Sequence, residues 1–246
     1  MRLKALACLA LGTALTFAAE PAADRTADIV RLHLAAIGGR ERVDALEGFR
    51  AEGRMGGDVA PVRFTMLAAR PARLRMEFHY ADRTEVQAFD GASAPWQAIT
   101  RPGQPTETAP MPAAEGAAFA ADAVFEDPLV AGARLGYQIS FAGEAKVAER
   151  TLLRVRVGVG SERVFFLLVD PETHLIAARI DPPEPASGAT GSIVTRYDDF
   201  RPVSGVLVPH EVTIHAGGKA VRWARLDRIE PNPTLPPTAF TRPTSP

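Results

Sequence analysis

Arg73-Leu74-Arg75-Met76-Glu77-Phe78-His79-Tyr80 is the stretch whose reading decides the fold. Leu74, Met76, Phe78 and Tyr80 alternate with Arg73, Arg75, Glu77 and His79, and a period of two is the mark of a strand with one dry and one wet face. Val62-Arg63-Phe64-Thr65-Met66 repeats the pattern upstream, with Val62, Phe64 and Met66 as its apolar set. Working outward, period two begins at Phe49, and further strands are expected over 85–89, 95–100, 137–142, 152–157, 163–169, 175–180, 192–200, 208–215 and 220–229. That makes about ten or eleven strands in meander order.

Helical periodicity appears in two places. Near the start, Ile29, Leu32, His33 and Ala36 share one stripe, Asp24 can cap it, and Gly38-Gly39 ends it; a second helical turn follows over 40–46. In mid-chain, a Pro-rich stretch over 101–112 leads into 113–127, where Phe119, Ala123 and Glu126 fall on one side of a helix inserted between strands. Residues 181–191 read as a surface loop. The tail from 231 to 246 is too rich in Pro for a central strand and is expected to run along the surface with Phe240 as its anchor. A sheet of this width curls because twist accumulates, and its apolar face must be covered. The expected fold is therefore mainly β: a single curved antiparallel sheet, an unclosed barrel, with helices over its concave face, in one domain spanning 19–246.

The first residues address the chain. Arg2 and Lys4 precede an apolar run over 5–18, and Thr16-Phe17-Ala18 offers a small-x-small cleavage site, so residues 1–18 read as a signal peptide cleaved near Ala18. Cys8, the one cysteine of the chain, lies too close behind Lys4 to follow a full apolar h-region, which argues against a lipid anchor. No segment reaches the roughly 20 apolar residues a membrane helix needs. The formal net charge is −1, and so balanced a surface does not suit a broad nucleic-acid footprint.

Chemistry-bearing patterns are sparse. His33, His79, His174, His210 and His215 are scattered, with no HExxH, so neither a metal nor another cofactor is expected. Asp198 and Asp199 are neighbours that should point apart, just before an expected turn at Phe200-Arg201-Pro202. Asp170-Pro171-Glu172-Thr173 has the composition of a type I turn rather than a carboxylate cluster. Gly38-Gly39 is followed by no Lys-Ser/Thr and reads as a helix stop, not a phosphate cradle. Ser161, Ser192 and Ser204 lack a nucleophile elbow. A non-catalytic protein is expected.

Four segments resemble the LolA/LolB-like family of periplasmic lipoprotein carriers, in its outer-membrane lipoprotein-sorting-like subgroup. They are Leu34-Ala35-Ala36-Ile37-Gly38-Gly39-Arg40-Glu41-Arg42, the hairpin from Leu168 to Leu175 around Asp170-Pro171, the run from Tyr197 to His210 containing Ser204-Gly205-Val206-Leu207-Val208-Pro209, and the close from Asn232-Pro233 to Phe240. The resemblance implies a periplasmic location, an unclosed barrel with a helical lid, and acyl chains of lipids or lipoproteins as cargo.

Together these readings give a monomeric periplasmic carrier for a lipid or an acylated protein. The expected ligand wall is Val62, Phe64, Met66, Leu74, Met76, Phe78, Tyr80 and Trp96, since Met and Phe make adaptable apolar surface. The expected lid residues are Phe119, Val124 and Phe125. The alternative on the same scaffold is a filled core, with function as an envelope protein-interaction or sensing module.

Overall fold

The computed structural model describes residues 22–57, 60–161, 163–183 and 191–243. The signal-peptide reading of 1–18, with Cys8, and most of the 181–191 loop fall outside them. Two helices open the described chain, α1 (Ala22–Ala36) and α2 (Arg40–Asp44), followed by β1 (Gly48–Gly57), β2 (Val62–Ala69), β3 (Arg73–His79), β4 (Thr84–Phe89), β5 (Trp96–Thr100) and β6 (Glu107–Pro110). After α3 (Ala113–Asp122) and α4 (Pro128–Ala131) come β7 (Gln138–Val147), β8 (Arg150–Val159), β9 (Arg163–Val169), β10 (Ile176–Asp181), β11 (Ile193–Val203), β12 (Val206–Ala216) and β13 (Lys219–Pro231).

The strands form one 13-stranded antiparallel sheet in the order β6-β5-β4-β3-β2-β1-β13-β12-β11-β10-β9-β8-β7. This corrects the expected single meander. One meander, β1 to β6, runs from the middle out to one edge, a second, β7 to β13, returns from the other edge, and the first and last strands pair in the middle, Phe49 opposite Pro231 and Ala51 opposite Ile229. The connection from β6 to β7 must therefore travel from one edge of the sheet to the other. It carries α3 and α4, so the covering helices sit where the topology needs a crossing.

Each expected strand is present, and most run longer than their patterns. β6 is added inside the Pro-rich stretch, as a four-residue edge strand where a missing N–H costs little. β11 runs on through Phe200-Arg201-Pro202 to Val203; the expected turn there is an irregularity at Asp199 (φ 53°) instead, and the chain reverses at Ser204-Gly205. The helix expected to start after Asp24 begins at Ala22, so Asp24 lies in its first turn.

α1 buries Ile29 and His33, and Ile37 just past its end continues the same face, spaced by four as one helical face requires. Ile29 packs with Leu129 of α4 on Val155, Val157, Phe165 and Leu167 of β8 and β9. The Gly38-Gly39 stop serves packing as well as chain reversal. A Cβ on Gly38, whose φ is 126°, would lie 2.2 Å from the Gly205 carbonyl oxygen, and the Leu207 N–H donates to Ile37 O at 2.9 Å. Asn232 closes the same corner, its Oδ1 accepting from the Glu47 and Gly48 N–H groups and its Nδ2 donating to Ala45 O. Three of the segments that carry the family resemblance thus meet at one junction of α1, α2 and the central strands.

The convex face carries two apolar patches, one of Leu152, Leu168 and Ala178 over β8 to β10 and one under the tail. Leu235, Ala239 and Phe240 pack against Leu67 and Ala69, and Phe240 is 3% exposed, as its reading as an anchor expects. At the β9–β10 turn, Asp170 Oδ1 accepts the Glu172 and Thr173 N–H groups, the turn that Asp-Pro foreshadows.

Candidate functional site

Cross-strand partners share a face, so the ladder pairs locate the expected wall. Phe64 lies opposite Phe78, Met66 opposite Met76, and Ala68 opposite Leu74, all on the concave side with Phe49 and Ala51. This part of the face is filled. Leu74, Met66 and Met76 pack with Ala68 and Phe89 against Phe119, Ala123 and Phe125 from above. Val62 lies opposite Met55 near the far end of the strands. Tyr80 is past the end of β3, 38% exposed, with the Arg83 guanidinium 4.1 Å from its ring centroid.

Trp96 departs from its expected place. Leu74 pairs with Phe89, while Trp96 pairs with Ala88, the next residue along, so Trp96 belongs to the convex face. There its Nε1–H donates to Phe240 O at 2.9 Å, and Arg75 lies over its ring. It anchors the tail rather than a ligand.

The hollow lies beside the filled region, over the other half of the sheet. A cavity of about 400 Å³ is floored by Phe49, Leu226, Ile229, Val212, Ile176, Leu167 and Phe165 and roofed by Val124, Phe125, Pro128 and Val130. His33 of α1 and Ile37 just past its end close one side. None of the eight expected wall residues lines it; of the expected lid, Val124 and Phe125 do and Phe119 does not. Phe125 meets Phe49 edge to face, with centroids 5.2 Å apart and an interplanar angle of 88°. That pair is the partition between the filled half and the hollow one.

Polar groups gather at two places on the cavity rim. Glu126, in the roof, has a side chain only 4% exposed, and its Oε1 is shared by Arg70 at 2.9 Å and by Arg134. Arg70 in turn donates to Val43 O and Asp44 O at the end of α2, so this cluster ties the roof to the β2–β3 turn and the α2 end. On the other side, the Arg179 guanidinium lies 4.0 Å from the centroid of Phe165 and donates to Asp181 at 2.6 Å. Burial pushes the neighbouring Tyr197 phenol up to about 12, so it stays an O–H donor. Burial also raises the Asp122 carboxyl, with Arg179 and Arg163 opposing.

His33, scattered among the histidines in sequence, is 1% exposed and joins three elements. Its Nδ1 lies 2.7 Å from His174 O in the β9–β10 turn, and its Nε2 lies 2.8 Å from Asp127 Oδ2. Asp127 Oδ1 caps α4 by accepting the Leu129 and Val130 N–H groups. The Asp127-Pro128 pair is a cap followed by proline at the first helical position, a local helix-start signal, so the expected helix over 113–127 is α3 to Asp122 and a separate α4 from Pro128. The floor residues of β9 carried a signal too. Val164-Phe165-Phe166-Leu167-Leu168-Val169 is continuous rather than alternating, which marks a strand covered on both faces.

No protein-family model matches the chain, and no curated protein matches it in sequence. Solved structures do match in shape. A LolA superfamily protein from Nitrosomonas europaea superposes with a TM-score of 0.58 at 13% identity, covering 88% of this chain and 97% of that one. A DUF1329 family protein from Desulfovibrio piger gives 0.57 at 9% identity over 87% and 96%. An outer-membrane lipoprotein-sorting-type domain from Vibrio parahaemolyticus gives 0.55 at 10% identity over 89% and 97%. The 13-stranded open sheet with its crossing helices is thus a fold shared with these three solved structures.

Proposed function

We propose that the protein is a non-catalytic periplasmic carrier whose cavity holds one hydrophobic ligand, an acyl chain of a lipid or of an acylated protein. The observation that carries this reading is the apolar void of about 400 Å³ beneath 124–130, within the roughly 300–1,000 Å³ range of ligand pockets. A natural core of this size closes such voids, because interiors pack as densely as organic crystals. The hydrocarbon lies on Phe165, Leu167, Val212, Leu226 and Ile229, and its polar end faces Arg163, Arg179 and Tyr197, where donors outnumber free acceptors. About ten buried methylenes would contribute around 8 kcal/mol before the cost of association, which sets a net affinity weaker than about micromolar. That suits a carrier that must release.

Titration of the delipidated protein with N-phenylnaphthylamine tests the reading. Saturable fluorescence enhancement is expected, displaced by a fatty acid and abolished in Val212→Phe, whose ring would occupy the void. Enhancement that survives Val212→Phe unchanged, or none in the wild type, contradicts it.

A further inference from the structure

The His33 contacts assign its protons. A carbonyl oxygen only accepts, so the 2.7 Å contact to His174 O requires a proton on Nδ1. The Asp127 carboxylate, already accepting two amide N–H groups at Oδ1, accepts a third donor at Oδ2, so the 2.8 Å contact requires a proton on Nε2. Both ring nitrogens donate, and the ring in this arrangement is an imidazolium. We propose that His33 is a positioning residue that acts as a proton-controlled latch: as a cation it binds α1 to the cap of α4 and to the β9–β10 turn, and loss of its proton loosens the roof of the cavity.

Deprotonation leaves one N–H for two acceptors. If Nδ1 keeps it, the Nε2 lone pair faces Asp127 Oδ2; if Nε2 keeps it, the His174 carbonyl loses its donor. Either way a half-buried acceptor loses its donor. The Asp127 end is the more costly of the two, because the roof would hold a carboxylate with no cation against it.

In the β9–β10 turn, Asp170 is paired with Arg150, Glu172 is exposed and His174 is half-buried. Glu126, next in the roof, is engaged by Arg70 and Arg134. Across the cavity, Arg179 of β10 is paired with Asp181 and Tyr197 of β11 is neutral. On β7, against which α1 packs, Glu144 and Lys146 are exposed. On α1 itself, Asp28 and Arg31 pair in solvent. Burial pushes the His33 imidazole down, but the Asp127 charge and the two hydrogen bonds outweigh it, and the net displacement is upward from 6.5. A raised imidazole contributes stability that is fully present below about 6.5 and is lost as pH rises through the folded-state value. The roof is therefore held in acid and released on the alkaline side.

The latch rests on the carrier reading for its purpose but is measured without a ligand. Histidine NMR and hydrogen exchange on the unliganded full chain, from about pH 5.5 to about pH 9, are expected to give a His33 midpoint above 6.5. After correction for intrinsic exchange, protection of the Leu129 and Val130 amides should fall roughly tenfold across that midpoint. Asp127→Asn should bring the midpoint below 6.5, and His33→Gln should remove the pH dependence of protection. With bound N-phenylnaphthylamine, release should quicken over the same interval. A His33 midpoint at or below 6.5, or roof protection that is flat across the midpoint, overturns the latch even if both variants fail to fold. Failure of the dye to bind while protection follows the His33 titration would sink the carrier reading and leave the latch standing.

Discussion

The two halves of the concave face belong to one antiparallel sheet and are covered by the same crossing connection, yet one is filled and the other holds a cavity. Over β2 to β4, Phe119 and Phe125 reach down onto Met66, Leu74 and Met76, and Ala123 is fully buried against them. Past Phe125 the connection leaves the cavity open beneath it before Leu129 of α4 packs again on β8 and β9. It is held up there by charged and capped contacts, Glu126 with Arg70 and Arg134, and Asp127 with His33. A lid that follows the sheet makes core, and a lid propped on polar groups makes a cavity.

The contrast can be broken from either side. Leu74→Ala, at a side chain 7% exposed in the filled half, should cost about 2–5 kcal/mol in denaturant unfolding and leave dye affinity as it was; lost affinity in a folded variant would mean that the halves are not separate. Enlarging a residue should then have opposite consequences in the two places. Ala68→Leu, at 0% exposure, should cost about 1–3 kcal/mol through overpacking, whereas Val212→Phe should cost less than about 1 kcal/mol because its ring enters empty space. Equal costs would put the cavity in doubt. Trp96→Phe should have the smallest effect, about 1 kcal/mol for the hydrogen bond to Phe240 O, a fall of about 2–4 °C in melting temperature. It should leave binding untouched, as a convex-face residue must.

Much of the fold could be read from the chain because alternation is a local signal. Leu74, Met76 and Phe78 declare one face, and Asp-Pro and Gly-Gly declare their turns, without reference to anything distant. The crossing was not legible, since pairing β1 with β13 joins residues such as Phe49 and Pro231 that no local pattern connects. Trp96 shows the same limit at short range. Alternation fixed the phase within 95–100, but only the β4–β5 register, which sets Trp96 against Ala88 rather than Phe89, decides which face that phase meets. The location of the hollow was hidden for a further reason. Periodicity says which side chains look toward the lid and nothing about how far above them the lid stands. His33 and Asp127, 94 residues apart, meet only after the crossing brings α4 against α1.

A crystal grown with a fatty acid carrying bromine at the chain end tests the central claim most directly. The account predicts one anomalous peak, enclosed by Val124, Phe165 and Val212 in the hollow half. A peak over Met66, Leu74 and Met76 instead, or an ordered cavity with no peak at saturating ligand, would contradict it.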